Sequence, residues 1–201
     1  MDEHIVELPD NLFIGKGNHK AVYFDPRDPK RCIKVCFHEN DEDLNREMKY
    51  RKYCHRNLRM LPNYYGTVQT NRGLGYVFEL VSDYDGEKSW TLQNFLDHPQ
   101  EGCRKYHCTV EEMLLTLYRN LMEDAVVTAT IAPFNFCIQK ISETIYRIRI
   151  IDDIGTSAKI PLPYFFRNLA LNRNKRYWRR FVREMKGSYS EMLTAKVENP
   201  F

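Results

Sequence analysis

Phe13–Phe24 reads "FIGKGNHKAVYF". Apolar residues lead in, Gly15 and Gly17 stand two apart, and a β-favouring "AVY" leads out. The pattern predicts two short strands joined by a small-residue turn. Such a turn serves one of two ends. Its glycines permit a tight hairpin, or their missing side chains let backbone N–H groups approach phosphate oxygens. The stretch is not a P-loop, because no GK[ST] follows it.

Working outward, "RCIKVCF" forms a third strand after the turn signal "DPRDPK", and "ENDEDLNREMKYRKYCHRNL" is charged and helix-favouring, with Leu44, Met48 and Tyr53 on a partly apolar face. The runs "YYGTVQT" and "GYVFELVS" flank "NRGLG", which predicts a hairpin. "DYDGEKS" is polar and reads as a linker. Beyond it the character changes. "TLQNFLDH" and "TVEEMLLTLYRNLMED" predict helices, the second opened by a capping box from Thr109 to Glu112. "FCIQKI" and "YRIRIID" predict a second hairpin, and "PYFFRNLALNRNKRYWRRFVREMKG" a basic amphipathic helical tail. The class is α+β, with a boundary near Tyr84–Gly86 that divides residues 1–84 from 85–201.

Three positions invite chemistry. Lys34 lies among Cys32, Ile33, Val35 and Cys36. A buried ammonium there needs a partner, and Glu47, thirteen residues on and on the next predicted helix, is the candidate. The alternative is a lysine on a solvated strand face. Asn135 enters the late hairpin, while Asp152 and Asp153 leave it. Antiparallel geometry returns those aspartates to Asn135. An amide oxygen and one or two carboxylates suit Mg²⁺ bound together with substrate phosphates. They are equally what two turns capping a hairpin contain. Strand alternation sends Asp152 and Asp153 to opposite sides.

The whole chain sets bounds on these readings. Its 201 residues are 43% hydrophobic, enough for one substantial core or two lobes. A net charge of +3, from 30 basic and 27 acidic residues, does not by itself imply nucleic acid. No apolar run approaches the roughly 20 residues of a membrane span, and the acidic start "MDEHIVELPD" lacks a signal-peptide core. Six cysteines without a CxxC pair read as reduced thiols in a cytoplasmic protein. "CRKYHC" offers Cys103, His107 and Cys108 but no second paired set, so it reads as a loop with incidental thiols. Between Arg167 and Lys186 eight basic residues face one acid, Glu184, with aromatic residues interleaved. That is a core-packing helix with a solvated basic face, or a surface for anionic lipid or nucleic acid; nucleic acid is not expected as a partner.

The order of these elements resembles the protein-kinase-like fold. "GKGNHKAV" resembles the glycine-rich loop, with Gly15, Gly17 and Val22 in matching positions and Lys20 where a third glycine is usual. "RCIK" resembles the strand-three motif ending in Lys34, whose ion-pair partner would be Glu47. "TIAPFN" resembles the end of the catalytic loop, with Asn135 a metal ligand, and "DIG", Asp153–Gly155, resembles the metal-binding DFG motif. More closely, "GKGNHKAVYFDPRDPKRCIKV", "REMKYRKY", "YYGTVQTNRGLGYVFELVSDYDG", "PFNFCIQKISE" and "DDIGTSAKIPL" are similar to the YrbL family of PhoP regulatory network proteins, over roughly residues 12 to 162. The resemblance implies a bacterial, cytosolic, two-lobed protein with a small antiparallel-sheet lobe and a short, mainly helical one. It implies ATP and Mg²⁺ as ligands and a link to the PhoP response to low magnesium and envelope stress.

Departures from the kinase pattern bear on catalysis. Five residues before Asn135, where kinases carry the catalytic aspartate, stands Thr130, and Thr128 occupies the usual histidine position. After "DDIG" only "TSAKIPLP" precedes the next helix pattern, so the activation segment and the peptide-docking part are missing. Asp152 is then a candidate substitute base or second metal ligand beside Asp153. Three functions are open: a phosphotransferase acting on a non-protein acceptor, a catalytically inactive regulatory binding module, and a binder of anionic surfaces through the basic tail.

Overall fold

The computed structural model describes residues 5–17, 19–38, 41–56 and 58–200. Asn18 at the tip of the glycine turn, residues 39–40 of the expected helix start and the first four residues of the acidic N-terminus lie outside the described residues.

The first part of the chain builds one antiparallel sheet. β1 (Phe13–Lys16), β2 (Lys20–Phe24), β3 (Arg31–Cys36), β4 (Tyr64–Thr70) and β5 (Gly73–Glu79) lie in the order β1-β2-β3-β5-β4. The short turns between β1 and β2 and between β4 and β5 close hairpins, as the sequence predicts. Helix α1 (Glu42–Tyr53) comes after β3. It starts where Asp41 caps it, accepting the Leu44 N–H at 2.8 Å, and carries Glu42 and Asp43 in its first turn and Arg51 and Lys52 in its last.

Strand alternation divides the sheet into two faces. Ala21, Tyr23, Ile33, Val35 and Val77 pack with Val6 and Leu8 on one side. Cys32 and Phe78 pack with Leu44 of α1 on the other, joined by Val22, Cys36 and Tyr76. The register pairs Val22 with Lys34, Lys34 with Tyr76, and Lys20 with Cys36. Lys20 and Lys34 therefore share the face that α1 covers.

The rest of the chain forms β6 (Trp90–Thr91), α2 (Leu92–Asp97), α3 (Pro99–Tyr106), α4 (Val110–Asp124), β7 (Phe136–Lys140), β8 (Tyr146–Ile150), α5 (Leu162–Phe165), α6 (Arg167–Ser188) and α7 (Ala195–Glu198). Strands β6, β7 and β8 make a small antiparallel sheet. α4 begins at the predicted capping box, and its Met113, Leu114, Leu117, Tyr118 and Leu121 enter the large core at helical spacing. Trp178 of α6 is fully buried in that core, and its indole N–H donates to the Val197 carbonyl at 2.9 Å, which fastens α7. Among the described residues no helix is long and apolar enough to cross a membrane.

Some expectations change. "CRKYHC" is not a loop: Cys103–Tyr106 complete α3, and His107 caps it with φ of 51°. Burial of the Tyr106 ring in the large core holds this run in a helix despite its polar composition. The two-residue β6 and the four-residue α7 are too short for periodicity to register. The helical tail is broken at Phe166 into α5 and α6. All six cysteines are free thiols.

The last turns of α1 also reach the large core, through Tyr50 and then Cys54. The Tyr50 hydroxyl accepts the Val127 N–H at 3.1 Å, and its ring meets Tyr164 edge-on with centroids 4.8 Å apart. Arg56, just beyond α1, donates to the carbonyls of Ala125, Pro163 and Tyr164. Tyr50→Phe leaves the Val127 N–H without its acceptor in a dry core. It is expected to lower unfolding stability by about 1–3 kcal/mol, read from urea midpoints at unchanged slope.

Candidate functional site

The site forms where the sheet face bearing Lys20 and Lys34 meets the open end of the β7–β8 hairpin. Phe136 pairs with Ile150, and the Ile151 N–H donates to the Asn135 carbonyl at 2.9 Å. The end of β8 thus returns beside the buried Asn135, and Asp152 and Asp153 follow at once. Lys34 is 7% exposed. Its ammonium donates to the Ile151 carbonyl at 2.7 Å, stands 3.8 Å from a carboxylate oxygen of Glu47, and lies 4.4 Å from the centre of the Phe78 ring. Glu47, only 2% exposed, is held by Arg51 one helical turn on, whose Nε and Nη2 both donate to Glu47 Oε1 at 2.9 and 2.7 Å.

Lys20 is the residue that sequence reasoning passed over. It is 5% exposed, and its ammonium donates to Asp152 Oδ1 at 2.6 Å across 132 positions of sequence. Burial works against both charges, but the electrostatics win. For Asp152, the nearby Lys34 and Lys20 ammoniums and the hydrogen bond from Lys20 hold the carboxyl below its ordinary range. For Lys20, the Asp152 charge and hydrogen bond lift the ammonium above its ordinary value. A signal was present in the sequence: Lys20 stands two positions before Val22 in a strand whose alternation places both on Lys34's face. Arg46 and Arg51 carried no such signal within their charged helix.

Asp152 and Asp153 do point to different partners. Asp153 turns to α1 and to the loop before β7: Arg46 Nη2 donates to its Oδ1 and Thr130 Oγ1 to its Oδ2, each at 2.5 Å. Its backbone has φ of 61°, and its N–H donates to Asp152 Oδ1 at 2.7 Å. Thr130, which stands at the kinase-aspartate position, is therefore one of the two side chains that fix Asp153. Lys34, Glu47 and Asp152 come together with the Asn135 backbone, whereas both oxygens of Asp153 are engaged by protein groups.

The glycine turn gives a clear result. Gly17 donates its N–H to the Lys20 carbonyl at 2.9 Å, and Gly15 pairs with the half-buried Val22. Neither glycine has a left-handed φ, and an added Cβ at either position would meet nothing within 4 Å. The hairpin itself does not require them. Gly155 differs: its φ is 97°, and a Cβ would sit 2.7 Å from the Tyr164 hydroxyl and 3.0 Å from the Arg46 carbonyl. Cys32 and Cys36, which flank Lys34 in β3, have thiols pushed up to about 11, first of all by burial. They are not nucleophiles at neutral pH. Among the described residues no group of three or more His, Cys, Asp or Glu side chains is gathered as a metal site.

These elements define an α+β protein that closes a lysine–carboxylate network between an antiparallel sheet and a hairpin. Residues 6–186 match the family model of the PhoP regulatory network protein YrbL, and the chain belongs to that family. It is 33% identical over 186 residues to the protein named "Uncharacterized protein YrbL" of Escherichia coli (strain K12), an alignment covering 89% of this chain and 87% of that protein. The protein of the same name in Shigella flexneri matches to the same extent.

Two outcomes test the network. Lys20 binds its proton more tightly in the folded state, so its contribution is full below its unfolded pKa and is lost as pH rises through the folded one. Asp152 binds its proton less tightly when folded, so its contribution is full above its unfolded pKa and is lost as pH falls through the folded one. The pair therefore stabilises at neutral pH and fades on both the acid and the alkaline side. Lys20→Met is expected to cost about 1–3 kcal/mol at pH 7, discounted for the partly exposed carboxylate, and to flatten the alkaline limb of urea midpoint against pH. Gly155→Ala combines a left-handed φ with a close contact to backbone. It is expected to destabilise by more than about 1 kcal/mol, whereas Gly15→Ala and Gly17→Ala should leave the thermal midpoint unchanged.

Proposed function

We propose that this member of the YrbL family is a kinase-like, two-lobed nucleotide-binding protein of the PhoP regulatory network, with residues 1–84 as the small lobe and 85–201 as the large one. The observation that carries this reading is the pair of buried ammoniums. Lys20 and Lys34, from neighbouring strands, converge on Asp152, Glu47 and the end of a hairpin, with an open glycine turn in the same β1–β2 unit. A five-stranded antiparallel sheet with one helix after its third strand, and separate apolar clusters for the sheet and the helical part, support the two-lobed arrangement. Since the fold does not need glycine at 15 or 17, their small size supports close approach of the backbone to phosphate oxygens.

The donor set also fits a hard divalent cation. The hairpin pairing brings the Asn135 backbone beside the residue before Asp152, and the depressed pKa of Asp152 keeps its carboxylate charged. ATP with Mg²⁺ is the ligand this site suits. Asp152 is the stronger candidate for the metal, because Arg46 and Thr130 already occupy both oxygens of Asp153. The position of a kinase base is filled by Thr130, whose hydroxyl donates to Asp153. This favours a nucleotide-sensing module over a phosphotransferase. Transfer to a non-protein acceptor would need Asp152 to act as base in its place.

Calorimetric titration with ATP, with and without Mg²⁺, tests the proposal. Binding is expected to tighten with Mg²⁺. Lys34→Met should weaken it about ten- to a hundredfold, and Asp152→Ala should remove most of the Mg²⁺-dependent gain. Loss of that gain in Asp153→Ala instead moves the metal to Asp153. If the parent protein binds no ATP under either condition, the nucleotide reading fails. Turnover of ATP in an acceptor screen separates an enzyme from a sensor.

A further inference from the structure

The segment between the candidate site and α6 exposes large apolar groups in close succession. Ile160 is 73% exposed, Phe165 56% and Phe166 57%, and Leu162 and Leu169 are also exposed. Phe165, Phe166 and Leu169 line one open surface hollow with Arg167 and Asn168. Nothing in the fold explains this exposure, because each turn of α6 sends a different set inward: Ala170, Asn174, Trp178, Phe181, Val182 and Met185.

The outer face of α6 continues the ridge with cations. Lys175, Arg176, Arg179 and Arg183 are exposed and recur at helical spacing, and Lys186, one turn on, is paired with Glu198 of α7 at 2.8 Å. At 1.5 Å per residue the stripe runs for about 16 Å. The one acid of the helix, Glu184, is bound to Arg180 at 2.7 Å. More cations flank the apolar end. Lys159 is exposed beside Ile160, and Lys52 lies next to Tyr53, whose ring is 6.4 Å from that of Phe165.

We propose that this surface docks on an anionic lipid bilayer, with the 160–169 apolar ridge entering the headgroup boundary and the α6 stripe lying on the charged plane. Exposed aliphatic and aromatic groups beside a cationic helix face are what an interfacial contact uses. Phosphate on a nucleic acid would engage the stripe but leave Ile160, Leu162 and Leu169 without partners. A second copy of the chain would bring two basic stripes face to face.

The probe is flotation with vesicles of phosphatidylcholine alone and of phosphatidylcholine mixed with phosphatidylglycerol, at low and physiological salt. Partition into the anionic vesicles is expected, with little on the neutral ones. Each headgroup-facing cation contributes about fivefold, so Arg176→Gln with Arg183→Gln should lower partition by roughly tenfold or more. Phe165→Ser with Phe166→Ser should lower it comparably. These side chains are exposed, so the variants should keep the parent's thermal midpoint, which is checked in parallel. Several results overturn the proposal: no flotation with either vesicle, equal flotation with both, or anionic binding that ignores the phenylalanine pair. Capture of duplex DNA unaffected by Phe165→Ser and Phe166→Ser, without vesicle binding, assigns the stripe to nucleic acid. Dimerisation in ultracentrifugation that the same pair abolishes, without vesicle binding, assigns the ridge to a second copy.

Discussion

Two ammonium groups are buried on one face of the N-terminal sheet, and the rest of the arrangement follows from satisfying them. An unpartnered charge there is too costly to keep. The sheet itself cannot supply the partners, because its strands are mostly apolar on that face. They come as three groups from two elements: the Glu47 carboxylate from α1, and the Ile151 carbonyl and the Asp152 carboxylate from the end of the hairpin. Sheet, helix and hairpin are thereby fixed against one another by charge, while Tyr50 and Arg56, further along the chain, tie the end of α1 to Ala125–Val127 and to α5 by packing and hydrogen bonds.

Much of this was legible in the sequence because period and punctuation are local signals. The alternation of β2 and β3, the glycine-bearing turn before β5 and the Thr109–Glu112 capping box each announced an element. Lys34 stood out because it interrupts an apolar run, and Glu47 followed from asking what would neutralise it. Lys20 did not stand out, since a lysine beside a turn looks like a solvated one. The alternation that places it on Lys34's face was the one sign otherwise, and the fold then brings Asp152 to it. The Arg46–Asp153–Thr130 contact joins three segments far apart in sequence, and no local pattern carries it. The two-residue β6 is too short to leave a periodic trace, and the helical end of "CRKYHC" is decided by tertiary burial of Tyr106 rather than by propensity.

The two neighbouring aspartates show how one backbone position sets a division of labour. With Asp153 at positive φ, the chain turns sharply after β8, and the two carboxylates look at different elements. Asp152 belongs to the sheet's lysines, and Asp153 to α1 and the loop at Thr130. A displacement of α1 would therefore act on Asp153 and Glu47 directly and on Asp152 only through the backbone. The proposed nucleotide site and the helix that borders it are mechanically linked without being one object.

The sequence separation of the Lys20–Asp152 and Lys34–Ile151 contacts, 132 and 117 residues, has a consequence for biosynthesis. The five strands are complete by Glu79, yet two of their inward lysines have no partner from the hairpin until residue 152 has left the ribosome. Until then Lys34 has only Glu47 to turn to and Lys20 has no carboxylate from the hairpin, so that face of the sheet lacks part of its neutralising charge. Closing such long loops is entropically slow to begin. The N-terminal half therefore completes its polar contacts only after the hairpin has been made, late in synthesis.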